Sequence, residues 1–133
     1  MRNSKPILLV EDDVVDAMTV KRALDDLKVP NPLVTRSNGE EALEYLRDGN
    51  GKKPCVILLD LNMPKMDGFE ASRIIRSPGS GVLNPNIPIV AMTAMAMKGD
   101  REQCMAAGMN DYLTKPIEPH KLFELLNKYL NVF

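Results

Sequence analysis

The chain has 133 residues, a length suited to one domain of about 100–150 residues, and its 44% apolar and 26% charged content excludes a disordered or coiled-coil protein. Seventeen basic against eighteen acidic residues leave a formal charge of −1, which gives no field for direct binding to nucleic acid or to an anionic membrane. No apolar run approaches the about 18 residues that would span a bilayer, and Ile7 to Val10 is too short for a signal-peptide core, so a cytoplasmic location is expected.

Apolar runs rich in β-branched residues alternate with amphipathic segments along the whole chain. Ile7-Leu8-Leu9-Val10 reads as a strand buried on both faces, and Val14 to Lys28 as a helix with Val20, Leu24 and Leu27 on one side. Val29-Pro30 stops that helix. Leu33 to Thr35 is a short second strand. Asn38 with Glu41 three residues later resembles a capping box, opening a helix through Leu43 and Leu46 that Gly49 and Gly51 close.

Cys55 to Leu59 is the most hydrophobic strand, and it runs into Asp60. Asp67 with Glu70 opens a helix carrying Ala71, Ile74 and Ile75 inward, and Ser77-Pro78-Gly79 ends it. Ser77 to Asn86 is rich in Pro, Gly, Ser and Asn, the composition of a surface loop within a domain. Ile87 to Met92 make a fourth strand, Asp100 to Ala107 a short helix ended by Gly108, and Tyr112 to Thr114 a fifth strand. Pro119 starts the last helix, in which Leu122, Leu125, Leu126, Tyr129 and Leu130 follow the spacing of a buried stripe.

Strands interleaved with helices imply βαβ units, and therefore an α/β domain with a parallel sheet covered on both faces. Ligands of such sheets bind outside the carboxyl ends of the strands. The residues at those ends are Glu11, Asp12 and Asp13 after the first strand, Asp60 after the third, Thr93 after the fourth and Lys115 after the fifth. Taken singly each has a plain structural use: Asp12 or Asp13 as a helix cap, Thr93 bonded to its own backbone, Lys115 as a solvated charge. Gathered on one rim, the acids repel and need a compensating cation. Lys115 supplies one, and a hard divalent ion would supply another. Mg²⁺ suits few carboxylate and carbonyl ligands completed by water.

The stretches ILLVEDD at 7–13, LLDLNMPKMDG at 58–68, IVAMTA at 89–94 and DYLTKP at 111–116 resemble, in order, the motifs of the receiver domain of two-component response regulators. The resemblance runs from about Pro6 to Leu130. It implies a single doubly wound (βα)5 domain of flavodoxin-like topology, with strand order 2-1-3-4-5 over residues 1–133. It makes Asp60 the phosphoacceptor, phosphorylated by a sensor histidine kinase or a histidine phosphotransfer protein. Mg²⁺ would be held by Asp12, Asp60 and the backbone carbonyl of Asn62 directly, and by Glu11 through water. Asp13 becomes a helix cap.

By the same resemblance Thr93 is the hydroxyl that binds a phosphoryl oxygen, Lys115 the ammonium that pairs with it, and Ala94 the small residue that leaves access open. Lys115-Pro116 matches the family's cis peptide. Tyr112 occupies the switch-aromatic position, coupled to Thr93, and the responding surface is the fourth helix, fifth strand and fifth helix. Met95, Met97, Met105 and Met109 fall in or beside that region, where methionines fill core or form adaptable surfaces. The implied activity is that of a phosphorylation-activated signalling switch. It is not a separate enzyme: it assists its own phosphorylation and dephosphorylation. Two features depart from the common pattern, a long loop at 77–86 and Glu11 in place of aspartate.

Three other readings meet obstacles in the same residues. A haloacid-dehalogenase phosphatase also forms an aspartyl phosphate, but carries a general acid two residues further on, where this chain has Asn62. A P-loop NTPase needs GxxxxGK[ST], which does not occur. A receiver-shaped interaction module that is never phosphorylated would be expected to lack the acceptor or the lysine, and both are present. No output domain follows the last helix before Phe133, so output is expected through protein contacts.

Overall fold

A computed structural model describes residues 5–48, 53–63, 66–94 and 100–130, apart from the side chain of Asp100. Gly49, Gly51, Met95 and Met97 lie outside them. The elements are β1 (Ile7–Val10), α1 (Val14–Asp26), β2 (Leu33–Arg36), α2 (Gly39–Arg47), β3 (Val56–Asp60), α3 (Gly68–Arg76), β4 (Ile89–Thr93), α4 (Asp100–Ala106), β5 (Asp111–Thr114) and α5 (Pro119–Leu130). The five strands form one parallel sheet in the order β2-β1-β3-β4-β5.

Successive side chains of a strand point to opposite faces, and here each face has its own core. Leu8, Val10, Ile57, Leu59, Ile89 and Ala91 pack with α2, α3 and α4, whereas Ile7, Leu9, Val56, Leu58, Val90 and Met92 pack with α1 and α5. All of β1, β3 and β4 is therefore buried, as the continuous hydrophobic runs predicted. The outer strands β2 and β5 are half-buried.

Local chemistry sets the helix ends. Asp13 caps α1, its side chain accepting from the N–H groups of Val15 and Asp16; Asn38 caps α2 and Asp67 caps α3 in the same way. The α1 helix stops at Asp26, two residues earlier than its apolar spacing suggests. Lys28 adopts the left-handed conformation (φ 56°) while Val29 N–H returns to the Leu24 carbonyl, a Schellman closure. The fourth strand opens at Ile89, because Ile87 N–H is spent on the Asn84 carbonyl and Pro88 has no N–H to donate. Asp60 and Thr93, expected just past their strands, are the last residues within them.

The loop between α3 and β4 is tied down by Arg76, whose guanidinium donates to the carbonyls of Gly108 and Pro85 and to Asn110 Oδ1. Asn110 Oδ1 also accepts from Ile89 N–H. Ser72 Oγ, fully buried, donates to the Ala107 carbonyl at 2.7 Å. These bonds fix α3 against the turn from α4 into β5.

Candidate functional site

Sheet register builds the site. Val10 pairs with Leu59, so the next residues, Glu11 and Asp60, leave the strand ends side by side, with Asp60 paired on its other edge to Met92. By strand alternation Glu11 and Asp60 fall on the α1/α5 face, as does Lys115, two residues after Leu113. One carboxylate oxygen from each of Glu11, Asp12 and Asp60 lies within 4.8 Å of the others. Glu11 and Asp60 are buried; Asp12 is exposed.

Lys115 reaches into this group. Its Nζ lies 2.8 Å from Glu11 Oε1, 3.3 Å from Asp60 Oδ1 and 3.0 Å from Asp16 Oδ2. Burial alone would lower its pKa, but the Glu11, Asp16 and Asp60 carboxylates outweigh burial and hold it above the ordinary lysine range. Glu11 is moved the other way from a normal carboxylate. Burial, followed by Asp60 beside it, pushes its pKa up to about 7 against the pull of Lys115 and of the Asp13 N–H. Asp60 Oδ1 additionally accepts from Asn62 N–H at 3.1 Å, which folds the start of the following loop over the carboxylate.

This donor set suits a hard divalent cation. All its ligand atoms are oxygen, two acids are buried against each other with one ammonium between them, and the third opens to solvent. Burial first, and Asp60 beside it second, disfavour the charged form of Glu11, and a divalent cation between the two acids would favour it.

Thr93 is buried at the end of β4, and its carbonyl accepts from Lys115 N–H at 2.7 Å, joining the two strand ends. Alternation puts Thr93 on the α3/α4 face with Ala91, and Ala91 pairs with Tyr112, so threonine and tyrosine share the face opposite Glu11 and Asp60. Tyr112 is half-buried and Ala94 exposed. The Lys115-Pro116 peptide is cis. Asp13, as expected, is a cap outside the cluster. Of the methionines, Met109 is buried in the core and Met105 is exposed. Cys55 and Cys104 are free thiols.

Two residues at the site had no assigned role. Asp16 reads in sequence as an ordinary acid in the first turn of α1, and only the distance to Lys115 gives it a part. Gly68 lies within the motif at 58–68, but its close approach to the Asp60 backbone is visible only in three dimensions.

The family model for the response regulator receiver domain matches residues 7–127, and the chain belongs to that family. Among curated relatives, hybrid signal transduction histidine kinase I of Dictyostelium discoideum is 36% identical over 91% of this chain. The chain spans only 7% of that relative's length. An uncharacterized 14.6 kDa protein of Leptolyngbya boryana is 35% identical over 96% of this chain and 91% of its own length. Among solved structures, the receiver domain of the sensor histidine kinase PA1611 from Pseudomonas aeruginosa PAO1 superimposes with a TM-score of 0.80 at 34% identity, covering 97% of this chain and 99% of that one. It has a magnesium ion coordinated in its active-site cleft. The response regulator Rcp1, in an Mn²⁺-bound form, gives a TM-score of 0.77 at 31% identity, with 97% and 96% coverage. Among the described residues no helix is long and apolar enough to cross a membrane.

Proposed function

We propose that the chain, read as one receiver domain, carries a phosphoryl group on Asp60, taken from a phosphohistidine of a sensor kinase or a histidine phosphotransfer protein. The observation that carries this reading is the placement of Asp60: a buried carboxylate at a strand end, with Lys115 Nζ 3.3 Å away and two further acids within 4.8 Å. In the transfer an Asp60 oxygen forms a bond to phosphorus as the phosphorus–nitrogen bond of the donor breaks, and the released imidazole takes a proton from solvent. Such transfer depends mainly on positioning and on stabilising charge at the equatorial oxygens. The Lys115 ammonium and the Thr93 hydroxyl would meet those oxygens.

Asp12, Asp60 and the Asn62 carbonyl would hold Mg²⁺ directly and Glu11 through water. The ion would supply positive charge shared between the acids and the phosphoryl oxygens. Attack of water on phosphorus then restores the Asp60 carboxylate and releases inorganic phosphate, so the chain resets itself.

The exposed apolar side chains Val14 and Met18 on α1 line one cleft with Glu11 and Asp12 and suit a partner that brings a histidine to Asp60. Movement of Thr93 toward the phosphoryl group would draw Tyr112 inward and alter the surface of α4, β5 and α5, where a downstream protein would bind. Incubation with acetyl phosphate, followed by intact mass, tests the reading. One Mg²⁺-dependent phosphoryl adduct is expected, absent in Asp60→Asn; an adduct that persists in that variant contradicts the assignment.

A further inference from the structure

The Lys115 ammonium has three N–H bonds, and three carboxylates stand around it at 2.8, 3.0 and 3.3 Å, those of Glu11, Asp16 and Asp60. Two of these acids have work to do at the cation site. Asp16 does not: it lies on the third residue of α1, with its side chain 40% exposed, and faces the lysine. Its backbone is fixed by the N–H bond to the capping Asp13 Oδ1 at 3.1 Å, so the start of the helix sets where its carboxylate points. Lys115 arrives from the far end of the chain, on a long flexible stem at the close of the outer strand β5. Its backbone is anchored by Thr93, and its ammonium gains a fixed lateral partner in Asp16.

During phosphorylation the Asp60 carboxylate is consumed as nucleophile and its charge is redistributed over the phosphoryl group, while Glu11 faces the cation. Among the described residues, Asp16 is the one partner of Lys115 whose bond can stay unchanged throughout. We propose that Asp16 is a positioning residue that holds the Lys115 ammonium beside Asp60, so that an incoming phosphoryl oxygen meets it already in place. The inference rests on the phosphoacceptor reading of Asp60. A first-turn acid also stabilises its own helix through the dipole, but an acid serving only that purpose would act independently of Lys115.

The test is a double-mutant cycle on the rate of adduct formation from acetyl phosphate at saturating Mg²⁺, using the wild type, Asp16→Ala, Lys115→Ala and the double variant. The expected result is a loss of about fivefold or more for Asp16→Ala, since loosened positioning is costly in transfer chemistry, with partial recovery in Asp16→Glu. In the Lys115→Ala background the same change should alter the rate by less than about twofold, because the two residues act as one unit. A wild-type rate in Asp16→Ala, or an undiminished loss without Lys115, overturns the positioning role while leaving Asp60 as acceptor. No adduct on the wild type overturns both.

Discussion

Gly68 lies so close beneath Asp60 that a Cβ at this position would stand 2.6 Å from the Asp60 carbonyl oxygen and 2.9 Å from Leu61 Cα. The glycine is the first residue of α3, its N–H bonded to the Leu61 carbonyl at 3.2 Å. The obstacles are backbone atoms, which cannot swing aside as a side chain would.

Gly68→Ala is therefore predicted to cost about 1–3 kcal/mol, the range for overpacking a tight site, and to displace the Asp60 backbone. Chemical denaturation of the variant should show the lower stability, and its phosphorylation by acetyl phosphate should be slower at equal Mg²⁺. Wild-type values for both would show that the contact yields without consequence.

Much of this architecture is legible in the sequence, for identifiable reasons. Strands buried on both faces must be continuously apolar, so β1 and β3 announce themselves, and an acid that ends such a run, as Asp60 does, stands out. The caps Asn38 and Asp67 carry their own signature three residues ahead of Glu41 and Glu70. What the sequence hides is set by contacts across long separations. Asp16 and Lys115 meet over 99 positions, and the early end of α1 depends on a left-handed lysine where glycine is the usual signal. Nor does local pattern reveal that Thr93 and Tyr112 share one face while Glu11 and Asp60 share the other; that follows from register.

Divalent cation binding should stabilise the fold. At a hundredfold excess of Mg²⁺ over Kd the gain is about 2.7 kcal/mol, on the order of 10 °C in Tm for a chain of this size. Asp12→Ala removes the exposed acid of the cluster and should abolish most of the shift without disturbing the core. A thermal melt with and without Mg²⁺ checks this; an equal shift in the variant would move the cation elsewhere.

Glu11 sets a pH dependence. Its folded pKa of about 7 stands above the unfolded value of 4.5, so between these values the folded chain retains a proton that the unfolded chain has lost. The resulting stabilisation is fully present below pH 4.5 and is lost as pH rises through about 7. Metal-free protein should thus melt at a lower temperature at alkaline than at mildly acidic pH, more steeply than Glu11→Gln does. The Mg²⁺-induced shift should grow over the same interval as the competing proton leaves. A melting profile with the same slope in wild type and Glu11→Gln would remove Glu11 as the source.

Arg76 binds three acceptors across α3, the loop before β4 and the turn into β5. Arg76→Met preserves much of the aliphatic stem but removes all three bonds, and should cost about 2–3 kcal/mol, given the strength of hydrogen bonds from a charged donor. Denaturant midpoints measure it. A loss under about 0.5 kcal/mol, the level of an ordinary surface substitution, would show that water replaces the guanidinium.

The most direct test of the account is to locate the phosphoryl group. Borohydride reduction of protein treated with acetyl phosphate and Mg²⁺ converts an acyl phosphate to the corresponding alcohol, and peptide mass mapping then identifies the residue. Reduction at Asp60 alone, dependent on Mg²⁺, is predicted. Label at Asp12 or Asp13, or labelling indifferent to the cation, would contradict it.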